Sequence, residues 1–535
     1  MGDEGTLPNG CRLALGGSVI IFSQKRKVPS LKKAAINLNN LPRPVIFLVG
    51  AVAVIGVLTL IILAQKQPYI LALLFLPIPI LLLILFPRVA LTGVFIGVYS
   101  LDWLSRVLGI LPTQVRWLPE GVIFATLIYI LLRRSGEGLI VLKKTPIDRY
   151  IIGLILIGLL SMLVNSSPLV TTLSGFRNLL RPLLLYYVMI NLKLDEKYLK
   201  RLVILFFAME LFQIPVIFYQ YLIYGGGDLA SGTLGFSTGQ MAVVLASIFM
   251  SLFFGLAIVK RSVIYTLLGS VLFLPVLLSE GKAGFFIIPS MLVFLFGYNF
   301  LSTANNKTRM SLLKYVFILV PLLVIAYQLT LWLVPIVTPN SQLLSFLANP
   351  ATIFDRYEAP LSKTNGIPLS RVGDVQFAWQ LISPQPQRIL LGYGPGQASN
   401  GIQGLGVGTL YATYATDPKY FFGPKSAQFT YYAFTQVSAM LQEFGLIGLA
   451  LYLLMLLNIF RRSVKFSKQL DVDPFWQGIN LGFSGVFFVF MICSLYYRVW
   501  FWEAGAYVFW GLAAALHILE TDMRAEKEKV GLLHG

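Results

Sequence analysis

Six basic residues lie outside the main clusters of charge and are suited to binding an anion. Arg177 and Arg181 are four residues apart, so they share one face if their segment is helical. Lys282, Arg356, Arg371 and Arg388 follow further along the chain. Arginine makes two parallel hydrogen bonds to a phosphate, so the group predicts a site for a phosphate or a lipid diphosphate. Each cation taken alone is equally well explained as a paired or snorkelling residue at a helix end.

Carboxylates accompany these cations. Asp374 and Glu280 stand beside two of them and are candidates for a general base that accepts a proton from an attacking hydroxyl, although a structural role is equally open for both. Glu210 and Glu443 lie inside apolar segments, where an ionised group costs ~2.5–3.5 kcal/mol unless it is paired. We therefore interpret them as halves of ion pairs. Two further carboxylates, Asp102 and Glu120, are expected to pair with Arg106 and Arg116.

The sequence offers no recognisable metal or nucleotide site. Its two cysteines and two histidines form no cluster with the spacing of metal ligands. The glycine-rich stretch 391–396 lacks the Gly-Lys-Ser/Thr ending of a phosphate-binding loop. We therefore expect no metal and no cofactor. The net charge of +19 would suit a nucleic-acid partner, but the basic residues follow the loop pattern described below, so no nucleic acid is expected.

Apolar segments must position these side chains. The chain is 57% hydrophobic and only 12% charged, whereas soluble domains average about 25% charged residues, so a soluble fold is excluded. A membrane span needs about 20 apolar residues in a helix. The sequence predicts an all-α polytopic membrane protein with about fourteen transmembrane helices. The predicted spans are residues 45–64, 69–87, 89–107, 117–132, 150–166, 182–192, 202–224, 241–259, 262–278, 285–301, 315–337, 432–460, 476–496 and 500–520.

The loops between these spans indicate the topology. With the N-terminus in the cytoplasm, the inside loops hold 29 of the 42 Lys and Arg residues, as the positive-inside rule requires. We therefore expect both termini in the cytoplasm and one large periplasmic loop at 338–431. The predicted organisation is a cytoplasmic tail at 1–44, a single membrane domain at 45–520 and a second cytoplasmic tail at 521–535.

The periplasmic loop contains two predicted features. Ser370 and Pro384 bracket a short helix as N-cap and terminator, with Asp374 on its more polar face. The stretch 391–396 predicts a tight turn. The apolar stripe expected to be buried on the short helix consists of Val372, Val375, Trp379 and Ile382.

Several segments, taken in order, resemble the O-antigen ligase and polymerase family. The resemblance extends from about residue 165 to residue 460, and the order and spacing of the motifs are more specific than any motif alone. The motifs are Phe176-Arg177-Asn-Leu-Leu-Arg181-Pro, residues 235–242, Ser279-Glu-Gly-Lys282, Arg371 to Ile382, Leu391-Gly-Tyr-Gly-Pro-Gly396 and Leu441-Gln-Glu443-Phe-Gly445.

The resemblance implies a helical membrane fold similar to that of GT-C glycosyltransferases. It implies an enzyme that polymerises or ligates undecaprenyl-diphosphate-linked glycans at the periplasmic face of the bacterial inner membrane, without metal or nucleotide. Arg177, Arg181 and Arg371 would bind the diphosphate, with Lys282 and Arg356 in reserve. The implied partners are the lipid-linked glycan donor, the glycan acceptor, membrane lipid, and polysaccharide export or flippase machinery.

One position departs from the family pattern. Ligases of this family carry a histidine ahead of the last motif, where this chain has Phe434-Thr435-Gln436. The difference favours a polysaccharide polymerase, or a relative whose base is a carboxylate such as Asp374 or Glu280. An alternative of another class is a multi-pass transporter or channel for an anion or small solute, in which the outer cations form a filter. A non-catalytic scaffold in an envelope complex is a third interpretation.

Overall fold

A computed structural model describes residues 86–136, 142–224, 229–235, 239–279, 283–302, 371–399, 407–414, 435–467, 473–500 and 503–534, with single positions between 321 and 332. These residues all belong to one compact unit, residues 67–535. Every element in the described ranges is helical, which confirms the predicted fold class for that part of the chain. The predicted tail 1–44, the span 45–64, the span 315–337 apart from five single positions, and nearly all of the span 69–87 lie outside the described residues.

Fifteen α-helices are described, and five candidate membrane spans were found among these residues. The five spans are Val115–Leu132, Glu196–Tyr224, Gly239–Lys260, Gln436–Ser467 and Pro474–Tyr496. These long apolar helices are those of a membrane protein, whereas the count of fourteen spans stays a prediction. The helices are α1 Pro87–Asp102, α2 Leu118–Gly136, α3 Asp148–Val164, α4 Leu169–Asn191, α5 Glu196–Tyr224, α6 Gly239–Lys260, α7 Val263–Val271, α8 Phe273–Leu278, α9 Gly284–Ser302, α10 Arg371–Ile382, α11 Pro386–Leu391, α12 Thr409–Tyr414, α13 Gln436–Ser467, α14 Pro474–Tyr496 and α15 Glu503–His534.

Ion pairs join the helix ends that carry the basic loops. Arg88 pairs with Asp195 at 2.8 Å, and Lys200 pairs with Asp473 at 2.8 Å. These contacts bring the starts of α1, α5 and α14 together, and we call this side of the bundle the basic end. The opposite side, the distal end, carries the turns at 103–117, 165–168, 229–235, 392–399 and 497–500.

The centre of the bundle is the pair α6 and α14. Small residues let the two backbones approach closely, because a Cβ atom added at Gly255 would lie 2.3 Å from the carbonyl oxygen of Gly478. The Ser251 hydroxyl donates to the carbonyl of Gly482 across the same contact, at 2.6 Å. Nearly nine tenths of the residues in the most apolar stretch of α6 are buried. The helix is therefore shielded by its neighbours, and the other helices pack around it.

Two helices differ from their predicted spans. The span expected at 182–192 is the last part of α4, which begins at Leu169 and includes Arg177 and Arg181. The two arginines are accommodated in this helix because a carboxylate on a neighbouring segment binds both. The span expected at 89–107 is α-helical only to Asp102 and continues as a π-helical turn, Trp103–Val107.

Candidate functional site

One carboxylate holds two arginines of α4 at the distal end. Glu120, in the first turn of α2, accepts hydrogen bonds from Arg177 Nη2 at 2.5 Å and from Arg181 Nη1 at 2.7 Å. Trp117 lies against the Arg177 guanidinium, with 5.1 Å between the guanidinium carbon and the ring centroid. All three charged side chains are largely buried. The arrangement orients two guanidinium groups together, and within these three residues there is one more positive charge than negative.

The pairing of the neighbouring acidic residues was predicted only in part. Asp102 contacts Arg106 at 3.2 Å and Arg116 at 3.7 Å, as the sequence predicted. The expected pairing of Glu120 with the same two arginines is wrong. Glu120 lies on the first turn of the next helix, which carries its carboxylate towards α4 instead.

The glycine-rich turn 391–396 docks onto a break in α13. Tyr393 N donates to the carbonyl of Gln442 at 2.7 Å, and Gly394 N donates to that of Glu443 at 3.1 Å. The backbone of α13 leaves helical geometry at Gly445, where φ is 64° and ψ is −165°. The predicted turn is confirmed. The segment that it contacts is Leu441 to Gly445, the last of the family-like motifs.

The other side of this turn contacts α3 and α4. Asn165 Nδ2 donates to the carbonyl of Gly392 at 3.0 Å, and the Ser167 hydroxyl donates to that of Tyr393 at 2.9 Å. A Cβ atom added at Gly175 would lie only 2.1 Å from the backbone nitrogen of Gly396. The turn therefore touches α4 at Gly175, two residues before Arg177 in the sequence.

Helix α10 has the bounds that the sequence predicted, Arg371–Ile382. Its predicted buried stripe is right in part, since Ile382 is buried and Val375 packs against it. Two other residues are oriented differently from the prediction. Trp379, expected in the buried stripe, is 45% exposed, whereas Asp374, expected on the polar face, is 1% exposed. The buried face instead runs from Asp374 through Phe377 and Ala378 to Ile382.

The reason for this orientation is the start of α13. Asp374 Oδ2 accepts hydrogen bonds from Thr435 N and Thr435 Oγ1, both at 2.9 Å. Thr435 in turn caps α13, since Ser438 N donates to its hydroxyl oxygen at 3.0 Å. A buried carboxylate with two donors at a helix N-terminus is stabilised where an unpaired one would not be. These contacts give Asp374 a structural task, and its role as a general base stays a prediction.

A chain of contacts leads from α10 to α4. The Arg371 guanidinium carbon lies 5.0 Å from the ring centroid of Tyr496 and 5.7 Å from that of Tyr497. The backbone carbonyl of Tyr497 accepts a hydrogen bond from Gln436 N at 3.0 Å, and Gln436 Oε1 accepts one from Trp500 N at 3.2 Å. The indole of Trp500 then donates to the carbonyl of Leu179 at 2.6 Å. Leu179 stands between Arg177 and Arg181 on α4.

Gln436 and Trp500 are site residues that the sequence analysis missed. Gln436 is fully buried, and its Nε2 has no hydrogen-bond partner among the described residues. Trp500 is also fully buried, although the aromatic residues near position 500 suggest an interfacial belt. The available signal for Gln436 was its place in the stretch Phe434-Thr435-Gln436, near which the resemblance would place the histidine of the ligases.

Two buried glutamates have uncharged partners within the described residues. Glu443 accepts a hydrogen bond from Ala398 N at 3.1 Å, which ties α13 to the end of the glycine-rich turn. Glu210 accepts from the hydroxyl of Tyr99 at 3.4 Å. The interpretation of both residues as halves of ion pairs therefore finds no support in this part of the chain. Backbone N–H and hydroxyl donors satisfy them instead.

Three predicted site residues, Glu280, Lys282 and Arg356, lie outside the described residues. Ser279, which precedes Glu280, is described, and its hydroxyl donates to the carbonyl of Ala230 at 2.5 Å. This contact brings the third family-like motif to the distal end, next to the turn 229–235. No group of metal-binding side chains was found among the described residues.

The distal end thus combines a pair of oriented arginines, a third arginine over two aromatic rings and a rigid glycine-rich turn. Guanidinium groups held in this way suit an anion with several oxygen atoms. No family model matches the chain, and no curated protein matches it. The long apolar helices identify a helical membrane protein.

Proposed function

We propose that the protein is a membrane glycosyltransferase that polymerises or ligates polyprenyl-diphosphate-linked glycans at the distal end of its helix bundle. The distal end would face the periplasm and the bundle would lie in the bacterial inner membrane, as the distribution of basic loops suggests. The donor is a lipid diphosphate, and the acceptor is a hydroxyl group of a second glycan.

The observation that carries the proposal is the orientation of Arg177 and Arg181 by Glu120. A single carboxylate engages both guanidiniums at 2.5 and 2.7 Å, so they point towards a common anion. The carboxylate marks where an oxygen atom of a diphosphate would bind. The excess of positive charge in the group then favours a ligand more negative than one carboxylate.

The reaction needs charge stabilisation more than it needs a cofactor. The acceptor hydroxyl attacks the anomeric carbon of the donor sugar, and the bond from that carbon to the diphosphate oxygen breaks. The leaving diphosphate gains negative charge, which Arg177, Arg181 and Arg371 would stabilise. The hydroxyl proton passes to a base, for which Asp374 and Glu280 are the candidates.

Arg371 is included on the strength of its connection to α4 through Tyr497, Gln436 and Trp500. The proposal requires Arg177 and Arg371 to reach one diphosphate. A separation above ~15 Å between their guanidinium groups would exclude this, because two side chains would no longer contact the same anion.

Arginine-to-lysine variants test the proposal in a deletion strain. Lysine keeps the charge but loses the planar pair of donors. Arg177→Lys and Arg371→Lys should each slow polymer formation about tenfold or more, since one charge-assisted hydrogen bond contributes about 1.5–3 kcal/mol. Arg106→Lys is the matched control, because Arg106 is a half-exposed distal arginine paired with Asp102. It should leave the polymer unchanged.

The strain also separates the enzyme from the transporter or channel alternative. The enzyme predicts loss of long surface polysaccharide and accumulation of short lipid-linked units when the protein is absent. A transporter predicts normal polymer in every strain. Normal polymer with both lysine variants, at normal protein levels, would show that charge alone suffices and would remove the basis for a diphosphate clamp.

A further inference from the structure

A second candidate site lies at the other side of the molecule, where five helices meet at the basic end. A cleft of about 40 Å³ opens between the start of α3, the end of α4, the end of α13, the start of α14 and the middle of α15. One buried water needs roughly 10–15 Å³, so the cleft has room for a larger polar group. Asn458 in the cleft lies about 20 Å along α13 from Gly445 at 1.5 Å per residue, and the cleft shares no lining residue with the distal site.

Two polar atoms at this cleft have no hydrogen-bond partner among the described residues. They are Asn480 Nδ2, a donor, and Asn458 Oδ1, an acceptor, and both atoms are buried. Asn480 is fully buried and lines the cleft. Its Oδ1 already accepts from the Ser463 hydroxyl at 2.9 Å, so Nδ2 is the atom of this side chain that is left without a partner among the described residues. A buried polar group without a partner costs about 1–3 kcal/mol, which a ligand offering both an acceptor and a donor would recover.

Charge favours an anion at the same place. Arg462 lines the cleft and donates to Glu520 through Nε at 3.1 Å. Lys143 and Arg524 add positive potential at His517 in the cleft wall, and Asp148 adds negative potential. Three cations and two carboxylates therefore lie near the cleft, and of these Arg462 and Glu520 line it. A basic pocket between helices at a membrane surface is a typical place for a phosphate head group.

The remaining wall is apolar. Ile147, Phe466 and Leu516 line the cleft beside the polar groups. Apolar side chains next to a cationic recess suit a ligand with an anionic head and the first carbons of an acyl chain. A free inorganic ion would use only the polar part of this surface.

We propose that the cleft binds the head group of an anionic phospholipid whose phosphate ester carries a free hydroxyl group. The phosphate would accept from Asn480 Nδ2 and lie in the field of Arg462. The hydroxyl would donate to Asn458 Oδ1. The shared chemistry is that of a hydroxylated phosphate ester, which a soluble metabolite also offers, and the binding experiment separates the two sources.

The test uses the full chain purified in detergent, with binding followed by native mass spectrometry and thermal unfolding. Phosphatidylglycerol is the probe, phosphatidylcholine with the same acyl chains is the lipid without a head-group hydroxyl, and glycerol phosphate is the soluble head group. Asn480→Leu should weaken phosphatidylglycerol binding about tenfold, since one hydrogen bond to a charged group contributes about 1.5 kcal/mol. Asn458→Leu serves as the second variant if Asn480→Leu does not fold.

Thr266→Val is the matched control. Thr266 is fully buried and its Oγ1 has no hydrogen-bond partner among the described residues, but it does not line the cleft. Selective binding of phosphatidylglycerol that both asparagine variants weaken and Thr266→Val preserves would establish the site. Equal binding of both lipids, no binding, or equal weakening by Thr266→Val would refute it. Glycerol phosphate binding as tightly as the lipid would overturn the lipid assignment in favour of a soluble ester.

Discussion

Gly392 and Gly445 form a backbone contact that should tolerate no side chain. A Cβ atom added at Gly392 would lie 2.6 Å from the carbonyl carbon of Glu443, and one added at Gly445 would lie 2.4 Å from that of Leu390. Their backbone angles, φ 69° with ψ −162° and φ 64° with ψ −165°, belong to a region that is essentially restricted to glycine. The backbone strain of an alanine costs about 1–3 kcal/mol, and pushing the two backbones apart costs about 1–3 kcal/mol more. Either alanine variant should therefore lower the free energy of unfolding by about 2–6 kcal/mol.

The double variant gives the sharper test. Once one alanine has separated the two backbones, the second adds only its own strain, so Gly392→Ala with Gly445→Ala should cost about 1–3 kcal/mol less than the sum of the single changes. The assay is unfolding of the detergent-solubilised protein, read by tryptophan fluorescence. Gly93→Ala is the control, because nothing lies within 4 Å of its added Cβ atom, and helix propensity predicts a gain of about 0.5–1 kcal/mol. Additive losses, or a Gly445→Ala variant as stable as Gly93→Ala, would refute the proposed contact.

Three further outcomes are expected. Asp374→Ala should lower the free energy of unfolding by about 2 kcal/mol or more, because it leaves two buried donors without an acceptor. Asp374→Asn should retain most of the stability, because the amide oxygen can still accept. Polymer formation by the Asn variant therefore tests the role of Asp374 as base. A cysteine replacing Val407 should react with an impermeant maleimide in intact cells, and one replacing Lys144 only after permeabilisation; the reverse pattern would overturn the topology. Partial burial raises the pKa of Asp473, but the Lys200 ammonium and the Phe475 N–H more than offset this and hold the pKa below its usual value. The pair therefore stabilises at neutral pH, by less than about 1 kcal/mol because it is exposed, and that contribution, measured against Asp473→Asn, should vanish as the pH falls below about 4.

Element bounds were predictable where local sequence determines them. The start and end of α10 follow from a polar residue before the apolar pattern and a proline after it. The turn 391–396 follows from its glycines. The apolar helices follow from composition, because an uninterrupted apolar run of that length has few other uses.

Partner choice was not predictable from local sequence. The exposure of Trp379 and the burial of Asp374 depend on Thr435, which is more than 60 residues away along the chain. Glu120 likewise has arginines nearer in sequence but binds Arg177 and Arg181, because the turn before α2 directs its carboxylate to α4. The spacing of apolar residues identifies the buried face of a helix only when all the buried positions are apolar. A buried carboxylate with hydrogen-bond donors, such as Asp374, makes that assignment fail.

The break at Gly445 separates α13 into a polar part before it and an apolar part after it. The part of α13 after the break, residues 446–467, is about 33 Å long at 1.5 Å per residue, which is enough to cross the hydrocarbon layer unaided. The part before the break therefore does not have to be apolar, and it contains the buried polar residues Ser438, Gln442 and Glu443. The later segment carries the hydrophobicity that a membrane span needs, and the polar segment is held at the distal end by its hydrogen bonds to the glycine-rich turn.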